Sequence, residues 1–332
     1  MRPIESRRYF LAALAGGAAG LIGAPMLMTR RSFAEEPPPE TTTIRLAWAT
    51  NICNAPQYIA QELLRAEGFT DVKYVKMPGG NQLQAMVRGE VDVTMLYSPS
   101  AVVAVDSGSP ITMLTGVHVG CNVTFAREGI RSIRDLKGKK VGGTGGPFNY
   151  LLASMASYVG LDPRKDIEWV TGPSTKELFI EGKLDAFLAL PPDPQELRAR
   201  KVGHEIVNSS LDRPWSQLFC CVLAGSRDFV RKNPTATKRA MRAILKTTDF
   251  CASDPAGAAR QVVDGGFTPN YEYALQMLTE ASYNKWREYD PEDSIRFYSL
   301  RLHEAGLIKS IPNKIISEGT NWRFLKELKR EV

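Results

Sequence analysis

Few side chains in this 332-residue sequence could carry out a reaction. The three histidines, His118, His204 and His303, stand far apart in unlike surroundings, and the five cysteines, Cys53, Cys121, Cys220, Cys221 and Cys251, show no C-x-x-C spacing. A zinc or iron centre needs three or four converging ligands with partners that orient them, so the spacing predicts no metal and no cofactor. No Gly-x-Ser-x-Gly elbow occurs, and Ser98-Pro99-Ser100 has no base in view, which argues against hydrolysis. Free cysteine in an apolar context behaves as a small hydrophobe, so mostly buried thiols are expected, with Cys220 and Cys221 on opposite faces of a strand. Export would permit a Cys53–Cys121 bridge.

The residues favour binding over catalysis. Loops at 50–54, 97–100, 116–122, 142–149 and 190–193 are expected at the ends of strands, and apart from Asp193 none holds an Asp, Glu, Lys or Arg. They offer Asn51, Asn54, Ser98, Asn122, Thr144, Gly145, Asn149 and Pro192 as small or polar contacts, and Tyr97 and Phe148 as rings, with Trp48 and Trp215 as further candidates. A few precise polar groups on an apolar, aromatic wall is how small-molecule sites are usually built. Without fixed cations, such a site holds either a neutral molecule or an anion bound by amides and helix ends.

Residues 142–150, Gly-Gly-Thr-Gly-Gly-Pro-Phe-Asn-Tyr, follow a short apolar run and lead into a helical one. Glycine allows close backbone approach and a proline in the first helical turn wastes no donor, so this loop should present free N–H groups at a positive helix end. It matches neither the Walker pattern nor a clean G-x-G-x-x-G with its acidic partner, so no nucleotide is implied.

The elements that must position these residues occur twice. Residues 44–50 and 139–142 each read as a strand leading to a proline at a helix start, Pro56 or Pro147. Helices ending at Gly68 and Gly160 are followed by strands at 72–75 and 167–170. Segments 86–99 and 179–192 then align without a gap, with Gly89 against Gly182, Asp92 against Asp185 and Pro99 against Pro192. Each glycine suits a helix C′ position, and each apolar run after it has the length of a buried parallel strand. The two aspartates are expected to cap local backbone. Each half is therefore β-α-β-α-β, an open sheet whose ligands gather beyond the carboxyl ends of its strands. The prolines at 234, 255, 269 and 291 mark later helix starts, and those helices should cover the first lobe.

The segments Gly89-Glu90-Val91-Asp92, residues 133–141 and Gly182-Lys183-Leu184-Asp185-Ala186 resemble recurring signatures of the periplasmic solute-binding proteins of ABC importers. The resemblance is to the nitrate/sulfonate/taurine branch, which is similar also to the pyrimidine-precursor binders of thiamine uptake. It implies an α/β, two-lobed periplasmic binding protein fold (type II), each lobe an open, mostly parallel sheet flanked by helices, with the ligand cleft between the lobes. It also implies lobe closure on a small organic solute or oxyanion, a membrane permease as partner, a monomer, and no catalysis. A fungal pyrimidine-precursor synthase with a cysteine cluster resembles the same family, and Phe219-Cys220-Cys221 is faintly similar to that cluster.

The implied organisation is a signal peptide at 1–34, a linker at 35–42, lobe I at 43–122, lobe II at 123–218, and a return to lobe I with C-terminal helices at 219–332. The chain would cross between lobes through 117–125 and 217–223. Ser6-Arg7-Arg8-Tyr9-Phe10-Leu11 matches the twin-arginine export pattern and precedes an apolar stretch rich in alanine and glycine, which implies the twin-arginine machinery as a partner and a periplasmic location. The formal charge of +6 owes five arginines and one glutamate to the first 34 residues, leaving +2 for the rest. So small an excess makes no case for nucleic acid.

Overall fold

A computed structural model describes residues 36–331 apart from residues 50, 78–80 and 144–148. The proposed export segment and the site candidates Thr144, Gly145 and Phe148 lie outside the described residues. No described helix is long and apolar enough to cross a membrane.

Among the described residues, ten strands form two five-stranded sheets. Strands β1 (Thr43–Trp48), β2 (Asp71–Lys76), β3 (Val93–Tyr97) and β4 (Ile111–Val119) belong to lobe I; β5 (Val123–Ala126), β6 (Lys139–Gly143), β7 (Ile167–Thr171), β8 (Ala186–Ala189) and β9 (His204–Asn208) form lobe II; β10 (Phe219–Ser226) returns to lobe I. The orders are β2-β1-β3-β10-β4 and β7-β6-β8-β5-β9. In each sheet one strand runs against the others: β10 is antiparallel to β3 and β4, as β5 is to β8 and β9. The architecture is α/β and two-lobed. Residues 120–122 carry the chain out of the first sheet and residues 209–218 carry it back.

The duplication is physical. Gly89 and Gly182 each take a positive φ, 73° and 79°, just after a helix, where a residue with a Cβ is penalised. Asp92 and Asp185 act as local caps, and in both lobes the antiparallel strand is anchored at the same aspartate: Ser226 N–H donates to Asp92 O and Arg127 N–H to Asp185 O, both at 2.8 Å.

Three expectations need correction. Proline 269 does not begin a helix; that helix, Tyr271–Glu280, starts two residues later because Asn270 Oδ1 accepts the Tyr273 N–H at 3.0 Å. The C-terminal helices do not cover lobe I alone. Helix Pro291–Glu304 packs on helix Ser98–Asp106 of lobe I and helix Tyr150–Tyr158 of lobe II, with Phe297 against Tyr158 at 5.8 Å. Finally, Cys220 and Cys221 do not face opposite sides. The β10–β4 register slips between Phe219 and Cys221, so both thiols join one apolar cluster. From Cys221 onward the faces alternate normally, Val222 and Ala224 packing elsewhere; an extra residue in one strand re-aims its side chains in this way.

Nor do the lobes have fully separate cores. One cluster runs from Leu96, Met113 and Val222 through Tyr298 and Leu302 to Val141, Leu152 and Leu188.

Candidate functional site

After β1 the chain makes a 3-10 turn, Ile52–Asn54, and a short helix, Ala55–Tyr58, with Pro56 in its first turn. Strands β1 and β3 pair in register only at Leu46 and Val93. Beyond that point the buried Gln57 side chain bridges them, its Nε2 donating to Ala47 O at 2.6 Å and its Oε1 accepting from Met95 N at 2.8 Å. The turn is held from several other sides: Tyr74 Oη donates to Gln57 O at 2.8 Å, Thr247 Oγ1 to Pro56 O at 2.6 Å, Tyr283 Oη to Cys53 O at 3.0 Å, and Tyr58 Oη to Ala49 O. Cys53 is thereby fixed against the ends of β4 and β10.

There the fold assembles a thiol–imidazole cluster. Cys53 Sγ, Cys221 Sγ and a ring nitrogen of His118 lie within 4.8 Å of one another. Cys121 Sγ is 3.3 Å from Cys220 Sγ, and Asn122 Nδ2 donates to Cys220 Sγ at 2.8 Å. Tyr97 Oη approaches Cys53 Sγ at 4.0 Å. All five cysteines are buried and unbridged. His118 is 0% exposed, yet neither ring nitrogen has a hydrogen-bond partner. A buried polar group left unpaired costs about 1–3 kcal/mol, which the fold sustains here beside soft sulfur atoms.

The electrostatics follow from that packing. Hydrogen bonding with the Cys121 and Cys221 thiols, aided by His118, holds the Cys53 thiol well below its ordinary range despite burial. Burial pushes the His118 imidazole down, and the Cys53 and Cys220 thiols with the Val119 backbone together more than reverse this. A lowered thiol beside an imidazole is the arrangement of an activated nucleophile. Two sulfurs and one imidazole are equally three of the four ligands of a tetrahedral soft-metal site. The linear spacing had brought no three ligands together; the strand order does.

The predicted site residues are distributed as follows. Asn51 precedes the turn and is partly exposed, with no capping bond from its side chain. Asn54 is buried, its Oδ1 accepting weakly from Cys53 Sγ at 3.8 Å. Tyr97 reaches the cluster, whereas Ser98 is buried and its Oγ donates to Phe219 O at 2.7 Å, tying β3 to β10. Asn122 stands at the outbound crossing with Oδ1 buried and unpartnered. Asn149 caps helix Tyr150–Tyr158 in lobe II, accepting from Leu152 N at 3.0 Å. Pro192 precedes helix Asp193–Ala199, also in lobe II. Of the tryptophans, Trp48 lies tilted against Phe267 under Lys76, and Trp215 lies buried against Tyr158 and Phe297 where the lobes meet.

Sequence reasoning left Cys53, His118, Cys221 and Gln57 out of the candidate site. His118 lies inside the uniformly buried run of β4, where nothing in the pattern separates it from core residues. The available signal was positional: Cys53, His118 and Cys221 all fall at strand ends, on the edge where an open α/β sheet binds ligands.

The sequence matches the NMT1/THI5-like family over residues 53–258. A curated relative, the 4-amino-5-hydroxymethyl-2-methylpyrimidine phosphate synthase of Saccharomyces cerevisiae, is 23% identical over 262 residues, 74% of each chain. Among solved structures, the periplasmic nitrate-binding protein of Synechocystis superposes with a TM-score of 0.73 at 16% identity, covering 89% of this chain and 90% of its own. The alkanesulfonate-binding protein of Xanthomonas axonopodis, bound to MOPS, gives 0.69 at 16% identity, covering 85% and 99%. With the fold of the periplasmic binding proteins and a family match across most of both lobes, this chain belongs to the NMT1/THI5-like family.

Proposed function

We propose that the protein is the extracytoplasmic solute-binding component of an ABC importer. It captures a small organic solute or oxyanion, either sulfonate-, nitrate- or taurine-like or a small aromatic or heteroaromatic, and as a monomer delivers it to a membrane permease. The carrying observation is the pair of equivalent lobes joined by two crossings, residues 120–122 and 209–218, since ligand contacts on both lobes favour the closed form and a permease can read closure. The apolar cluster shared between the lobes makes that closure a sliding of helix Pro291–Glu304 and its neighbours as much as a hinge. Export by the twin-arginine route places the protein in the periplasm; replacing Arg7 and Arg8 by lysine then traps the precursor in the cytoplasm, and normal accumulation of the variant would dismiss that route.

Native mass spectrometry of freshly purified protein tests the central claim. A noncovalent solute released on denaturation, whose return compacts the protein in small-angle scattering, supports it; a tight ligand that leaves the scattering profile unchanged opposes it.

The second reading is catalysis on the same fold, as in a pyrimidine-precursor synthase. It is favoured by the buried Cys53–His118–Cys221 cluster and by the synthases among the curated relatives. A covalent change in the bound molecule or in the protein would select it.

A further inference from the structure

Cys121 lies in the three-residue crossing that leaves lobe I, and its backbone has φ 95°. That region favours glycine and is unfavourable for any residue with a Cβ. The neighbouring Gly120, at φ 82°, has no such penalty. A cysteine held in this conformation indicates that its side chain is used. The crossing is fixed by Cys121 N–H donating to Ser210 Oγ at 3.2 Å and by Asn122 N–H donating to Ser209 Oγ at 2.9 Å, so the outbound crossing is bonded to the returning one.

The side chain ends 3.3 Å from Cys220 Sγ, and Cys220 is the residue displaced by the β10 register slip. Two local irregularities, a positive φ and a bulge, thus bring together two thiols 99 positions apart. The segment between them contains the whole lobe II sheet. We propose that Cys121 and Cys220 form a reversible disulfide that pins the two crossings together at their roots and sets how freely lobe II moves.

In the reaction, one cysteine thiolate attacks a disulfide of the thiol-oxidising kind supplied outside the cytoplasm; the mixed disulfide is then displaced by the second cysteine. One S–S bond forms between Cys121 and Cys220, the oxidant is reduced to two thiols, and the two cysteine protons end on them. Cys53, which contacts the Cys121 and Cys221 thiols, is the competitor that peptide mapping must exclude; two other pairings are disfavoured. Cys251 lies in helix Pro234–Ser253, and a Cys220–Cys221 bond would join adjacent residues in a strained ring.

The test uses the reduced protein, treated with chelator and then with oxidised glutathione, quenched by alkylation and mapped by peptide mass spectrometry. The expected product has lost the mass of two hydrogens, keeps three alkylatable cysteines, and yields one crosslinked peptide pair, Cys121 with Cys220. Hydrogen exchange at residues 120–122 and 209–218 should slow at least tenfold and recover on reduction. Cys121→Ser and Cys220→Ser should each abolish the crosslink, whereas Cys251→Ser should not. A crosslink between any other pair, or five free thiols after conditions that oxidise the unfolded chain, would overturn the proposal. So would a Cys121–Cys220 bond that leaves exchange in both crossings unchanged. None of these readouts requires the transported solute, so the proposal can fail while the solute-binding reading stands.

Discussion

Asp92 and Asp185 do the same work in the two lobes. Asp92 Oδ2 accepts the N–H of Arg45 on β1 at 2.8 Å, and Asp185 Oδ2 accepts the N–H of Lys140 on β6 at 2.8 Å. Each also donates its own N–H to the carbonyl of that same residue. Among the described residues only Asp92 adds a side-chain ion pair, with the Arg45 guanidinium. Its carboxylate is nearly buried, so truncation leaves a charged partner and an amide unpaired. Asp92→Ala should cost about 2–4 kcal/mol and Asp185→Ala about 1–2 kcal/mol. Urea unfolding of both variants checks this, and equal losses would refute the ranking.

The glycine run is testable through its described first residues. A Cβ at Gly143 would stand 2.9 Å from Asn149 Cβ, and no positive φ is involved. Gly143→Ala should therefore push away the residue that caps helix Tyr150–Tyr158, costing about 1–3 kcal/mol and weakening ligand binding at least tenfold, about 1.4 kcal/mol. Gly160→Ala is the control. Its added Cβ meets nothing within 4 Å, so its positive φ costs about 1–2 kcal/mol while affinity holds. Calorimetric titration giving the two variants the same affinity would remove this loop from the site.

Arg198, in helix Asp193–Ala199 of lobe II, reaches Glu280 at the end of helix Tyr271–Glu280 at 2.8 Å, and Gln276 Nε2 donates to the same carboxylate at 3.0 Å. This ion pair links the lobes. Partly exposed pairs contribute about 0.2–1 kcal/mol, so Glu280→Gln should speed solute release about 1.4- to fivefold, an effect that high salt removes. Stopped-flow rates insensitive to both the substitution and salt would show that the pair does not latch the lobes.

Acid should loosen the junction between helix Ser98–Asp106 and the C-terminal segment. Burial pushes the Asp106 carboxyl up, but the Ser310 side chain with the amides of Ser310 and Lys309 outweighs it and holds the group below its ordinary range. Its stabilisation is therefore full above the ordinary carboxylate value and is lost as pH falls through the lower folded-state value. Asp106→Asn should cost about 1–2 kcal/mol at pH 7 and progressively less toward pH 2. Denaturation profiles of variant and parent that stay parallel across that range would contradict the assignment.

The Cys53–His118–Cys221 set should take up a soft divalent ion. Adding Co²⁺ to reduced, chelator-treated protein should give thiolate-to-metal charge-transfer absorption, and His118→Ala should weaken binding at least tenfold, about 1.4 kcal/mol. A flat spectrum would mark the cluster as thiols alone.

The sequence by itself determined the repeat. Hydrophobic runs, helix-ending glycines and prolines in first turns are local, so the two β-α-β-α-β units, the family and the capping role of Asp92 and Asp185 could all be read without coordinates. The positions of Asn54, Asn122 and Tyr97 near the ends of strands could be read for the same reason. Tertiary structure alone decided which strand ends meet. Strand β10 returns from beyond lobe II and inserts between β3 and β4, and only that insertion carries Cys220 and Cys221 to His118 and Cys53. A one-residue slip at Cys220 then turned both thiols the same way. Pairing across more than a hundred residues, and the register at which it locks, are set by packing of the whole sheet; period-two patterning fixes the face of each residue only until a bulge resets it.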